Sequence, residues 1–146
     1  MKRQIHMYSK KILTLLIVTA VLMLSNGERG EAKGPSKELP MLVTLNDLLT
    51  ESGEYDGRRV VVTGRVQSIE GQVGRRGSEY VILILEEEGS NAIDPTSTIK
   101  VISLTPPAVR QGHNVLVQGV YHKEGRQAGR PFEFFIDAEV IIREKS

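Results

Sequence analysis

An all-β fold, with five strands closed into a small barrel behind an N-terminal signal peptide, is what this sequence predicts. Three observations lead there. A phrase is used twice: Gly57-Arg58-Arg59-Val60-Val61-Val62-Thr63-Gly64-Arg65-Val66 returns 55 residues later as Gly112-His113-Asn114-Val115-Leu116-Val117-Gln118-Gly119-Val120-Tyr121. Each copy has a turn glycine, alternating valines and a second glycine seven positions on, the pattern of a strongly curved strand. Further apolar stretches follow at Glu79 to Glu86, Thr98 to Leu104 and Phe132 to Ile142, with no long helical pattern between them. Finally, Lys2, Arg3, Lys10 and Lys11 precede an apolar run of thirteen residues, Ile12 to Leu24.

That run is shorter than the roughly 20 residues a spanning helix needs. Polar residues follow it, and Gly30-Glu31-Ala32 supplies small residues at the −3 and −1 positions of a cleavage site. Residues 1–32 therefore read as a secretory signal peptide, or as an anchor if they are retained. The expected location is periplasmic or extracellular, with a membrane tether through the N-terminus in the retained case. The chain has 146 residues and no cysteine, which excludes disulfides, thiolate metal sites and lipid attachment at a processed cysteine. Five of the nineteen basic and two of the eighteen acidic residues lie in residues 1–32. The remainder carries fourteen basic and sixteen acidic residues, a net −2, so any anion site has to come from local clustering.

Residues 33–43 read as a linker, because Gly34, Pro35, Ser36 and Pro40 oppose regular structure. The domain proper is expected over residues 44–146. It opens with one or two helical turns at Thr44 to Leu49, Thr44 serving as N-cap and Asp47 lying near the positive helix end. Leu45, Leu48 and Leu49 share one face and close one end of the barrel; Gly53 is expected to stop the helix. Strand one is predicted from Arg59 to Ile69, with Val60, Val62 and Val66 inward and a bend or bulge at Gly64. The stretch Glu70 to Ser78 reads as a loop, strand two as Glu79 to Glu86, and Glu87 to Thr96 as a connection. Strand three covers Thr98 to Leu104 and ends at Thr105-Pro106-Pro107. Strand four is Asn114 to Tyr121, Lys123 to Pro131 is a loop, and strand five is Phe132 to Ile142. On that last strand, alternation places Phe134, Ile136, Ala138, Val140 and Ile142 inward, and Glu133, Phe135, Asp137 and Glu139 outward.

The segments Tyr55 to Val66, Gly112 to Tyr121 and Phe134-Phe135-Ile136-Asp137-Ala138-Glu139-Val140 resemble the first, fourth and last strands of small bacterial exported proteins with the oligonucleotide/oligosaccharide-binding (OB) fold. The resemblance spans Tyr55 to Arg143 and implies a five-stranded OB-like barrel. Such barrels often carry a helix between strands three and four; the connection Thr105 to His113 leaves little room for one. A tethered barrel with a short tail is also similar to the haem chaperone of cytochrome c maturation, which attaches haem through a tail histidine. This chain ends Arg143-Glu144-Lys145-Ser146, so the residue essential to that likeness is missing.

In an OB barrel, the loops after strands one and four flank the binding face. Here they hold Arg75, Arg76, Lys123, Arg126 and Arg130, and Tyr80 opens the adjoining strand. Glycines let backbone amides approach an anion, and guanidinium groups grip phosphate or carboxylate in a fork. These six residues are the candidate ligand site. Stacking of single-stranded nucleic acid on Tyr80, Tyr121, Phe132 or Phe135 is the less favoured use. No metal set is expected: His113 and His122 read as surface histidines, and Glu86-Glu87-Glu88, with Asp94, as a solvated strand end. No catalytic residues and no cofactor are expected either. The serines lack a nucleophile setting, and Glu133, Asp137 and Glu139 read as solubilising acids. The expected function is non-enzymatic binding of an anionic small molecule, polymer or protein partner. Its rival is an accessory subunit of an envelope or electron-transport assembly.

Overall fold

The computed structural model describes residues 38–88 and 97–145. The expected signal segment, residues 33–37 of the linker, and Ser90 and Asp94 in the connection lie outside the described residues. The elements are strand β1 (Met41–Leu42), helices α1 (Leu45–Thr50) and α2 (Ser52–Tyr55), then β2 (Arg59–Val73), β3 (Glu79–Glu86), β4 (Thr98–Ser103), β5 (Asn114–Gln127) and β6 (Arg130–Arg143).

The six strands form one sheet in the order β1-β2-β3-β4-β6-β5, and β2 also pairs with β5. The five long strands thus close into a ring, each hydrogen-bonded on both sides, which removes the free edges an open sheet would expose. All pairings within the ring are antiparallel except β4–β6. This is an OB-fold-like strand order.

The repeated phrase is explained by that closure. Gly57 and Gly112 have φ of 77° and 87°, a left-handed conformation that glycine adopts without steric cost. Their partners seven positions on do something else. A Cβ on Gly64 would stand 2.8 Å from the Glu86 carbonyl oxygen, and one on Gly119 would run into the Asp137 carbonyl and lie 2.8 Å from Ile136 Cγ2. Both glycines sit where a neighbouring strand's backbone crosses too closely for any side chain. The bulges fall beside them, between Val66 and Ser68 on β2 and at Gln118/Gly119 on the β5–β6 ladder.

Inside the ring lie Val60, Val62, Val66, Leu83, Leu85, Ile99, Val101, Val115, Val117, Tyr121 and Ile136. Helix α1 plugs one end. Thr44 accepts from the Asp47 amide at 3.0 Å and Asp47 Oδ2 accepts from the Thr44 amide at 3.2 Å, a reciprocal capping box that contributes about 1 kcal/mol. Leu45 and Leu48 are fully buried, and the Tyr121 hydroxyl donates to the Leu48 carbonyl at 3.2 Å. Burial, followed by the charge of Asp56, raises the Tyr121 pKa above its ordinary value. Gly53 does not stop the helix: the break comes at Glu51, and Gly53 lies within α2.

Other expectations are corrected by the ladders. Met41 and Leu42, placed in the linker, form a sixth strand parallel to Val60 and Val61, beside the part of β2 that β3 does not reach. The two glycine-containing loops are shorter than expected, and the second is almost all strand. β2 continues to Val73, and β5 and β6 meet across a two-residue turn, Ala128-Gly129, where both φ values are positive. Glu86 is not a solvated strand end. It is 5% exposed and accepts from Arg65 Nε at 2.6 Å.

Gly119→Ala is expected to lower the free energy of unfolding by about 1–3 kcal/mol, the usual cost of overpacking. Gly53→Ala, where nothing lies within 4 Å, should raise it by about 0.5–1 kcal/mol. Urea unfolding of both variants checks the contrast; equal effects would remove the close-crossing explanation.

Candidate functional site

Register fixes which side chains share the outer face of the ring. Ile82, Ile102, Asp137 and Val120 lie in one row across β3, β4, β6 and β5; Ile84, Lys100, Phe135 and His122 lie in the next. Residues directly opposite one another point to the same side of a sheet. Val101 and Ile136, between these rows, point inward to the core. The outer face of β3, β4 and β6 therefore carries an apolar strip.

The strip is covered. Tyr80, Ile102 and Phe135 are 2%, 0% and 1% exposed, and they form a second apolar cluster with Ile82, Ala128 and Phe132 packed against it. The cover is the outer half of the β5–β6 hairpin. Gln127 pairs with Arg130 and Val120 with Asp137, so Gln127 lies about seven residues, or roughly 23 Å of strand, from Asp137 along the hairpin. Yet Gln127 Nε2 donates to Asp137 Oδ1 at 2.7 Å. The hairpin doubles back over its own base to make that bond.

Two residues permit the fold-back. Phe134 has φ 49°, a left-handed conformation that costs a side-chain-bearing residue roughly 1–2 kcal/mol. It breaks the expected alternation at that position: Phe134 is 39% exposed instead of inward, whereas Phe135 takes the outer face as expected and is buried there beneath the hairpin. A Cβ on Gly125 would stand 3.1 Å from Phe135 Cζ, so a side chain there would require the Phe135 ring to shift, and glycine lets the hairpin lie close. Phe132 stacks beneath, edge-on to Tyr80 at 6.2 Å and tilted against Phe135 at 5.7 Å; His122 stacks on Phe135 at 5.1 Å.

The tip of the fold-back hairpin meets the β2–β3 turn. The Arg75 amide donates to the Ala128 carbonyl at 3.4 Å and Arg130 Nη2 to the Val73 carbonyl at 3.2 Å. Arg75 Cβ lies 3.5 Å from where a Gly129 Cβ would stand. The structure thus brings Arg75, Arg76, Arg126 and Arg130 to one pair of joined, exposed tips. Among the described residues, the ion pairs are Arg59–Glu139 and Arg65–Glu86; neither involves the tip arginines. Lys123 and Tyr80 are not part of this cluster. Lys123 lies five residues from the turn, about 16 Å of strand, and its amide donates to Asp56 at 2.9 Å. Tyr80 is beneath the cover.

The remaining polar candidates have structural partners. Glu139 accepts from Arg59 and from the fully buried Gln118. Asp137 is half-buried, and desolvation, more than its other neighbours, raises its pKa; His122 and the Gln127 bond act the other way. The Arg110 amide donates to His113 Nδ1 at 3.0 Å; desolvation, followed by the charges of Arg143 and Arg110, lowers the His113 pKa. Among the described residues, no three His, Asp or Glu side chains are placed to share a metal ion. The sequence reading missed His122, Gln127 and Asp137 as a group, since only the fold-back brings them together.

No protein-family model matches the chain, and no curated protein matches it. Among solved structures it is similar to a Leishmania major Friedlin chain assigned as an aspartyl-tRNA synthetase, at 8% identity and TM-score 0.49, over 79% of this chain and 22% of that one. It is similar to the small single-stranded DNA-binding protein of Streptomyces coelicolor, at 17% identity and TM-score 0.43, over 61% of this chain and 94% of that one. A third likeness is to the second OB-fold domain of replication protein A from Methanococcus maripaludis, at 17% identity and TM-score 0.38, covering 62% and 89%. The strand order of the ring is what makes this fold OB-like.

The Asp137 carboxyl gives a pH test. Its ordinary value is 3.8 and its folded value is higher, so between the two the folded chain keeps a proton that the unfolded chain has lost. The group's contribution to stability is therefore greatest below the ordinary value and declines as pH rises to the folded one. Asp137→Asn retains an acceptor for Gln127 and should remove that decline, leaving the variant the more stable at neutral pH. Urea melts between pH 3 and 7 would show a difference that grows across this window; a difference independent of pH would contradict it.

Proposed function

We propose that this protein is an exported, non-enzymatic binding module of the OB type, which takes an anionic ligand or partner surface at the joined tips of its two hairpins. One observation carries the reading: the turn bearing Arg75 and Arg76 and the hairpin bearing Arg126 and Arg130 dock against each other, with all four side chains exposed. They come from positions some 50 residues apart in sequence, and no carboxylate among the described residues is paired with them. Converging guanidinium groups suit phosphate, sulfate or carboxylate. Because residues 33–146 are net acidic, this cluster acts against a background that would otherwise repel anions, which favours recognition at one place over general adhesion. Export rests on the basic and apolar pattern of residues 1–32.

Single-stranded nucleic acid is less well served. Its binders stack bases on exposed rings at about 1–3 kcal/mol each, and here Tyr80, Tyr121 and Phe135 are buried.

Retention on heparin provides the test. Wild-type protein should elute with a salt dependence of about −2 to −3 in log affinity against log salt if three or four anionic groups are engaged. Replacing Arg75, Arg76, Arg126 and Arg130 together with Ser should abolish retention while the thermal midpoint moves only slightly. A quadruple variant that binds heparin as wild type does would refute the assignment.

A further inference from the structure

We propose that residues 124–133 form a hinged cover that lifts off the outer face of β3, β4 and β6 while the closed ring stays folded. The inference goes beyond the anion site and does not depend on it.

Four features argue for a cover that moves as a unit. The ring does not need it: β2–β5 pairing uses residues 114–120 of β5, and β4–β6 pairing uses residues 135–137 of β6. Lifting the outer hairpin breaks none of those ladders. The hairpin holds itself together, since the pairs from Glu124–Glu133 out to Gln127–Arg130 keep one unbroken register. It would swing as a rigid two-stranded arm, the motion expected where a few residues absorb the backbone change.

The pivot is marked as well. Phe134 holds φ 49° in the folded-back arrangement, and a return to extended backbone would relieve that conformation and straighten the arm. The cover is fastened by few polar contacts: Gln127 to Asp137 at 2.7 Å, Arg130 to the Val73 carbonyl at 3.2 Å and the Arg75 amide to Ala128 at 3.4 Å. The first of these is part-buried, and the Arg130 contact is exposed. Sub-global openings are drawn from such weakly fastened segments. What the closed cover hides is an apolar floor of Tyr80, Ile82, Ile102 and Phe135, a surface of different chemistry from the arginine tips at its rim.

The chain has no cysteine, so a single introduced thiol reports on one place. Ile102→Cys puts it under the cover and Val117→Cys puts it inside the ring; both positions are 0% exposed. In the full chain under native conditions, the thiol at 102 should react with a small disulfide reagent at least 10-fold faster than that at 117. Its rate should change little at low urea and rise a further 10-fold or more when Gln127→Ala and Arg130→Ala are added. Equal rates with equal urea dependence at both positions would overturn the proposal, because exposure would then require global unfolding.

A second experiment applies even if those variants fail to fold. The 3.5 Å between Arg75 Cβ and the Cβ position of Gly129 falls within the roughly 3.5–4.5 Å span of a disulfide. In Arg75→Cys/Gly129→Cys, oxidation should slow amide hydrogen exchange over residues 124–133 at least 10-fold relative to the reduced form. Exchange over residues 59–65 and 114–120 should stay unchanged. No difference between oxidised and reduced forms in the 124–133 amides would overturn it equally.

Discussion

The pairing of β2 with β5 is the constraint on which the rest of this structure depends. It turns a sheet into a ring, gives Val60, Val62, Val115 and Val117 a shared interior, and fixes how far each strand must curve. Curvature of that degree forces backbones together at two crossings, and the sequence answers with Gly64 and Gly119. The end plug follows from the same closure, because Tyr121, carried inward by β5, is what fastens Leu48 of α1.

The outer half of the β5–β6 hairpin is a separate matter, built on the ring without belonging to it. Beyond His122 and Phe135 the two strands have no further neighbours in the ladder, so their exposed apolar side needs another partner. It finds one in the outer face of the same sheet. The cost is a left-handed phenylalanine, and the offset is the burial of Tyr80, Ile102 and Phe135, each worth about 1.5–3 kcal/mol when fully removed from water. One consequence is positional: the arginines of the hairpin tip travel with the fold-back and arrive beside those of the β2–β3 turn.

Much of the ring was legible in the residues, because its determinants are local. Turn glycines precede the curved strands, valines alternate behind them, and Thr44 with Asp47 announces the helix start; β3 runs from Glu79 to Glu86 as its apolar residues indicate. The cover was not legible, for two reasons. Its strands read as loops because Lys123, Glu124, Gly125 and Arg126 look like turn residues, whereas Gly125 is there to let the Phe135 ring lie flush. And the exposure of Phe134 goes with one φ angle, which no period-two pattern encodes, while Phe135 takes the outer face that the alternation gives it and is buried there by the fold-back. The proximity of the arginine tips was therefore anticipated from barrel closure, while the contact that produces it, and the burial of Tyr80 beneath it, were not.

Ring closure also dictates the order of events in folding. Hairpin partners on β2 and β3, or on β5 and β6, are near neighbours along the chain and can meet within microseconds. The β2–β5 seam joins positions such as Val61 and Gln118, and must wait until nearly the whole domain is available. Until then β2 presents a row of valines and a bare hydrogen-bonding edge. A chain with so much long-range pairing folds slowly for its size and is most prone to aggregate in that interval, so its survival before maturity rests on whatever shields that first strand.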